Sequence, residues 1–109
     1  MDLSFEVEVD NGIKFLNWRL PGWPALVDLD TLDLAVVDRC MLAQVDQSTF
    51  GQAIRRLVGL ASKSPEARAW AINHGFILAI DQLYDLAAMS SAYEALTETW
   101  RRKIGELTG

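Results

Sequence analysis

Residues 3–20 read LSFEVEVDNGIKFLNWRL, and how this stretch folds decides the fold class of the whole chain. Apolar and polar residues alternate on both sides of Asn11-Gly12, the period of a half-buried strand. Asn-Gly tolerates the positive φ angles of a two-residue type I′ turn, so pattern and turn chemistry agree on a β-hairpin. In that register Leu3, Phe5, Val7, Val9, Leu16, Trp18 and Leu20 share one face. Ser4, Glu6, Glu8, Asp10, Asn17 and Arg19 share the other, with Ile13 and Phe15 as apolar exceptions. Two strands are marginal alone, so the hairpin requires a helical layer to cover its apolar face.

Pro21-Gly22-Trp23-Pro24 follows as a rigid turn, since each proline fixes its own φ and restricts the residue before it. Trp23 is expected there as a lid over the core edge. The remainder, residues 30–107, reads as helical. A first helix from Asp30-Thr31 to Val45 is apolar on two sides, with Leu34, Val37, Met41 and Val45 opposite Leu32, Val36, Cys40 and Ala43. Such a helix lies between layers or at an oligomer interface. A second starts at the capping box Thr49-x-x-Gln52, carries Arg55 and Arg56 outward, and ends near Ser62-Lys63.

Ser64-Pro65-Glu66 supplies an N-cap serine, a proline at the first helical position and an acid in the first turn. The apolar pattern stays in phase past Gly75, which predicts one helix from Ser64 to Met89. The last helix is expected from Ser91, at the capping box Ser91-x-x-Glu94, with Tyr93, Leu96, Trp100, Ile104 and Leu107 in a narrow stripe and Glu98–Arg102 paired outside. The predicted architecture is α+β: an N-terminal β-hairpin packed on a bundle of about four helices, in a single domain over residues 1–109.

Composition bounds the function. The 109 residues carry a net charge of −5, with 50% hydrophobic and 23% charged residues, an ordinary globular balance. The single cysteine, Cys40, has no partner for an intramolecular disulfide and supplies no multi-thiolate zinc site; it reads as a core thiol. The acidic start MDLSFEVEVD is unlike a signal peptide, and the longest uncharged run, Ala69–Ile80, has only twelve residues. These features set the expectation of a cytoplasmic protein without a membrane span. Residues 1–50 hold nine acids and three bases, whereas residues 51–109 hold six and seven. An acidic total argues against nucleic acid as partner, even though TFGQAIRRLVGLASKSPEARAW has the outline of a helix-turn-helix.

No catalytic motif is legible. Asp28–Asp33 begins like a calcium loop, but its sixth position is Asp33 instead of glycine and its twelfth is Arg39 instead of glutamate. On the expected 64–89 helix His74, Asp81 and Asp85 fall on one polar arc, yet their spacing does not bring two side chains onto one ion as i,i+4 ligands do. We therefore expect no enzyme, metal or cofactor. The expectation is a small protein–protein interaction module, a homo-oligomer acting as adaptor, assembly chaperone or regulator. Its candidate interface residues are Trp70, Trp100, Tyr93, Leu96 and Ile104. The competing expectation is a ligand-binding or catalytic site assembled around His74.

Overall fold

The computed structural model describes residues 5–36, 38–61, 63–78 and 86–108. Among these residues five helices form a bundle: α1 (Glu6–Arg19), α2 (Met41–Asp46), α3 (Phe50–Ala53), α4 (Pro65–Asn73) and α5 (Leu86–Thr108). Among the described residues there is no strand. The expected hairpin is therefore wrong, and with it the α+β class. Leu3 and Ser4 lie outside the described residues.

The same residues satisfy a second period. Phe5, Val9, Gly12, Leu16 and Leu20 recur at helical spacing, and Val9, Gly12 and Leu16 are buried. The strand and helix readings share Phe5, Val9, Leu16 and Leu20. They part at Val7 and Trp18, which a hairpin turns inward and the helix leaves 69% and 76% exposed. Glycine and asparagine inside a helix cost roughly 1 and 0.7 kcal/mol against alanine. Tertiary contacts offset that cost here. Asn11 Nδ2 donates to the carbonyl of Asn73 at 3.0 Å. Gly12 lets α1 lie so close to its neighbours that a Cβ on it would stand 2.3 Å from the His74 carbonyl oxygen and 2.8 Å from the Trp100 ring. The Asn-Gly pair is thus a packing device for helices, not a turn.

After α1 the chain turns at Pro21-Gly22 into a single 3-10 turn, Trp23–Leu26. Trp23 goes deeper than a lid: it is fully buried, and its Nε1 donates to Asn17 Oδ1 at 2.9 Å. The expected helix from Asp30 shrinks to Met41–Asp46. Aspartates upstream satisfy the backbone locally instead, with Asp28 Oδ1 accepting from Asp30 N and Asp33 Oδ1 from Ala35 N, each at 3.0 Å. Such side-chain bonds offer the backbone an alternative to helix. Leu32 and Leu34 still reach the core from this loop, but the two-sided helix does not exist.

Thr49 caps α3 as expected, accepting from Gln52 N at 3.4 Å, and Ala53, Ile54 and Leu57 face the core while Arg55 and Arg56 are exposed. The helix widens into a π turn over Ile54–Val58 and stops at Gly59, earlier than the expected Ser62-Lys63. Ser64 caps α4 by accepting from Ala67 N at 3.1 Å.

The continuous helix to Met89 is also corrected. α4 ends at Asn73, and Gly75 takes φ 73°. Phe76 N donates to Ala71 O at 2.9 Å and Gly75 N to Ile72 O at 3.2 Å, the pair of bonds that defines a Schellman motif. An in-phase apolar pattern cannot distinguish a continuous helix from one that stops and turns. The second reason for glycine is contact, since a Cβ on Gly75 would come within 2.9 Å of Val9 N. α5 begins at Leu86, ahead of the capping box expected at Ser91.

Candidate functional site

α1 crosses the C-terminal end of α4, and the carbonyls left open by that helix end find partners. Trp70 O accepts from His74 N at 3.1 Å and lies 2.7 Å from His74 Nδ1. Asn73 O accepts from Asn11, and Gly75 O accepts from Trp100 Nε1 at 2.7 Å in a buried bond. Three helices are fastened at one point.

Aromatic rings stack outward from it. Trp23 meets Trp100 edge-on at 6.2 Å, and Trp100 lies nearly parallel to Phe76 at 5.4 Å. Phe76 stacks on Trp70 at 5.6 Å, and Trp70 on His74 at 4.2 Å. Phe15 and Trp70 meet in a T-shaped pair at 4.8 Å, and Trp18 tilts against Phe15 at 6.1 Å. The column starts at fully buried Trp23 and ends at exposed Trp18, with Phe15, Trp70 and His74 half-buried between. Offset and edge-on aromatic pairs each add about 0.5–1.5 kcal/mol beyond area burial, so the inner rings hold the outer ones in place.

The outer end is cationic as well as aromatic. Lys14 and Arg19 are exposed on α1 within one turn of Trp18. Arg19 Nη2 reaches the carbonyl of Arg56 at 3.5 Å, which brings the π turn with Arg55 and Arg56 to the same end. Arg56 stands 3.7 Å from Asp46 and is 62% exposed. Lys14, Arg19 and Arg55 make no ion pair among the described residues.

The cations of α5 are engaged differently. Lys103 Nζ bridges Asp10 at 2.7 Å and Glu6 at 2.8 Å, while Arg102 pairs with Glu6 and with Glu106. The hydrogen bond from Lys103 holds the Glu6 carboxyl below its ordinary range, and the bonds to Asp10 and then Glu6 push the Lys103 ammonium up. Glu98 pairs with Arg101 at 2.7 Å, not with Arg102 as expected. Arg101 also donates to the carbonyls of Leu29 and Leu32, both at 3.0 Å. A concavity of about 300 Å³ lies here, lined by Leu32, Asp33, Glu94, Thr97, Glu98 and Arg101.

The candidate residues divide. Trp100, Leu96 and Ile104 are buried within the chain, Tyr93 is half-buried with its hydroxyl 3.5 Å from Leu78 N, and Trp70 keeps an exposed edge. His74 is stacked on Trp70, with Nδ1 committed to a backbone carbonyl. Asp81 and Asp85 lie outside the described residues, so the expected polar arc is not described as a unit. Burial pushes the Cys40 thiol above its ordinary value, which suits a core side chain. No three His, Cys, Asp or Glu side chains among the described residues come together to hold a metal ion, and none of the described helices is long and apolar enough to cross a membrane.

Sequence reasoning missed Trp18, the most exposed large aromatic, because the hairpin register turned it inward. The signal was present: at 100° per residue Trp18, Val7, Lys14 and Asn11 fall on the side of α1 opposite Val9 and Leu16. No family model, curated protein or solved structure matches this chain.

Proposed function

We propose that this chain is a small protein–protein interaction module that docks through the outer face of α1, with Trp18 as its anchor and a second copy of the chain as its first partner. The observation that carries this reading is the 76% exposure of Trp18 at the end of a column of packed rings. Tryptophan and arginine are among the residues most enriched where binding energy concentrates, and an indole has few rotamers to lose on binding. Val7, 69% exposed on the same face, is a second apolar side chain about three turns along the helix. A cytoplasmic setting, where a lone thiol stays reduced, belongs to the same proposal.

Size-exclusion chromatography with light scattering tests it. The wild type should rise above its 12.2 kDa protomer mass with concentration. Trp18→Ala should hold it at that mass with an unchanged helical circular dichroism spectrum. A wild type that stays monomeric at millimolar concentration argues against self-association, and a Trp18→Ala variant that associates as the wild type does removes Trp18 from the interface.

A further inference from the structure

We infer that the surface received by the Trp18 end of one copy is the acidic 28–38 loop of another, so that copies join head to tail. This rests on the self-association proposed above and names the two surfaces that meet. The loop carries Asp28, Asp30, Asp33 and Asp38. None of the four forms an ion pair among the described residues, and Asp30 and Asp38 are exposed. Its described residues are fastened at several points. Gln44 Nε2 donates to the carbonyls of Asp28 and Arg39 at 3.2 and 3.1 Å, and Gln44 Oε1 accepts from Asp28 N. From the other side Thr97 Oγ1 accepts from Leu34 N at 3.1 Å, and Arg101 holds Leu29 and Leu32. Fastening of this kind lowers the ordering entropy lost when a surface docks.

The charges match. The α5 cations are neutralised within the chain by Glu6, Asp10, Glu98 and Glu106. Lys14 and Arg19, within one turn of Trp18, are not, nor is Arg55 beside the Arg56 that Arg19 reaches. Leu26, 42% exposed at the start of the loop, offers an apolar surface for the indole beside the aspartates. Within one chain the loop is fastened to α2 and α5, and the Trp18 end to α4 and the π turn. No ion pair joins the two among the described residues, which leaves both surfaces open to a second copy. A head-to-tail contact of this kind is heterologous, and it propagates into a chain or closes as a ring.

Two charge-neutral variants test this at exposed positions: Arg19→Gln with Arg55→Gln, and Asp30→Asn with Asp38→Asn. Light scattering should find the wild type growing past a dimer, with growth suppressed by salt. Each variant alone should stay at the 12.2 kDa protomer mass, with wild-type circular dichroism and thermal midpoint. Mixed, they should form a one-to-one pair that grows no further, because each keeps one competent surface. A wild type that associates together with variants that do so equally, or a mixture that stays at protomer mass, overturns the inference and leaves the Trp18 reading standing. A wild type that never leaves protomer mass overturns both.

Discussion

Trp100 donates its indole N–H to the carbonyl oxygen of Gly75 at 2.7 Å, and this buried bond ties the longest helix to the end of α4. The same indole ring forms the floor on which Gly12 rests. Substitutions around this bond should therefore report the arrangement of three helices at once.

Trp100→Phe keeps most of the ring and removes the donor. The Gly75 carbonyl is then left buried without its partner, which costs about 1–3 kcal/mol, with lost packing in addition. Trp23→Phe, whose partner Asn17 is exposed, should lose less. Urea denaturation of the two variants side by side checks the order.

Gly12→Ala should destabilise although alanine is the better helix former. The gain of about 1 kcal/mol from propensity is outweighed by overpacking against the His74 carbonyl and Trp100, of order 1–3 kcal/mol or more. Gly105→Ala, at a helical glycine with open space around it, should instead stabilise by up to about 1 kcal/mol. Opposite signs at two helical glycines, read as shifts in thermal midpoint, test the close contact.

Only part of the fold was legible in the sequence. Local capping chemistry was: Thr49 and Ser64 cap the helices that follow them because a side-chain oxygen reaches a backbone N–H three residues on. The stripe of Leu96, Trp100 and Ile104 was legible at helical spacing, but not that it turns into this chain's own core. The state of residues 6–19 was not, because Phe5, Val9, Leu16 and Leu20 fit both periods. The contacts that decide, Asn11 against Asn73 and Gly12 against Trp100, lie 62 residues away and farther along the chain. Gly75 was ambiguous for the same reason, since its close neighbour is Val9. The candidate site followed the fold, and Trp18 became visible only once α1 was a helix.

Trp18→Ala should lower the thermal midpoint only slightly, because the indole is 76% exposed and loses one ring contact, with Phe15, worth about 0.5–1.5 kcal/mol. Trp23→Ala and Trp100→Ala, both fully buried, should cost about 3–5 kcal/mol. Acrylamide quenching adds a second readout: the quenchable fraction of tryptophan fluorescence should drop sharply in Trp18→Ala alone.

The bridge from Lys103 to Glu6 and Asp10 makes stability depend on pH at both ends. Glu6 is held below its ordinary value when folded, so its contribution is present above the unfolded value and is lost as pH falls through the folded one. Lys103 is held above its ordinary value, so its contribution is present below the unfolded value and is lost as pH rises through the folded one. Between them stability should be flat with respect to this bridge. Lys103→Met should shallow the acid-side slope of thermal midpoint against pH, because the hydrogen bond that lowers Glu6 is gone.

The state of residues 6–19 can be read directly from backbone NMR shifts, and the exposure of Trp18 depends on it. We expect positive secondary Cα shifts running without a break through Asn11-Gly12, with i,i+3 contacts from Val9 to Gly12. Negative Cα shifts on both sides of Asn11-Gly12, with cross-strand contacts between Phe5 and Trp18, would contradict the helix and with it the docking surface.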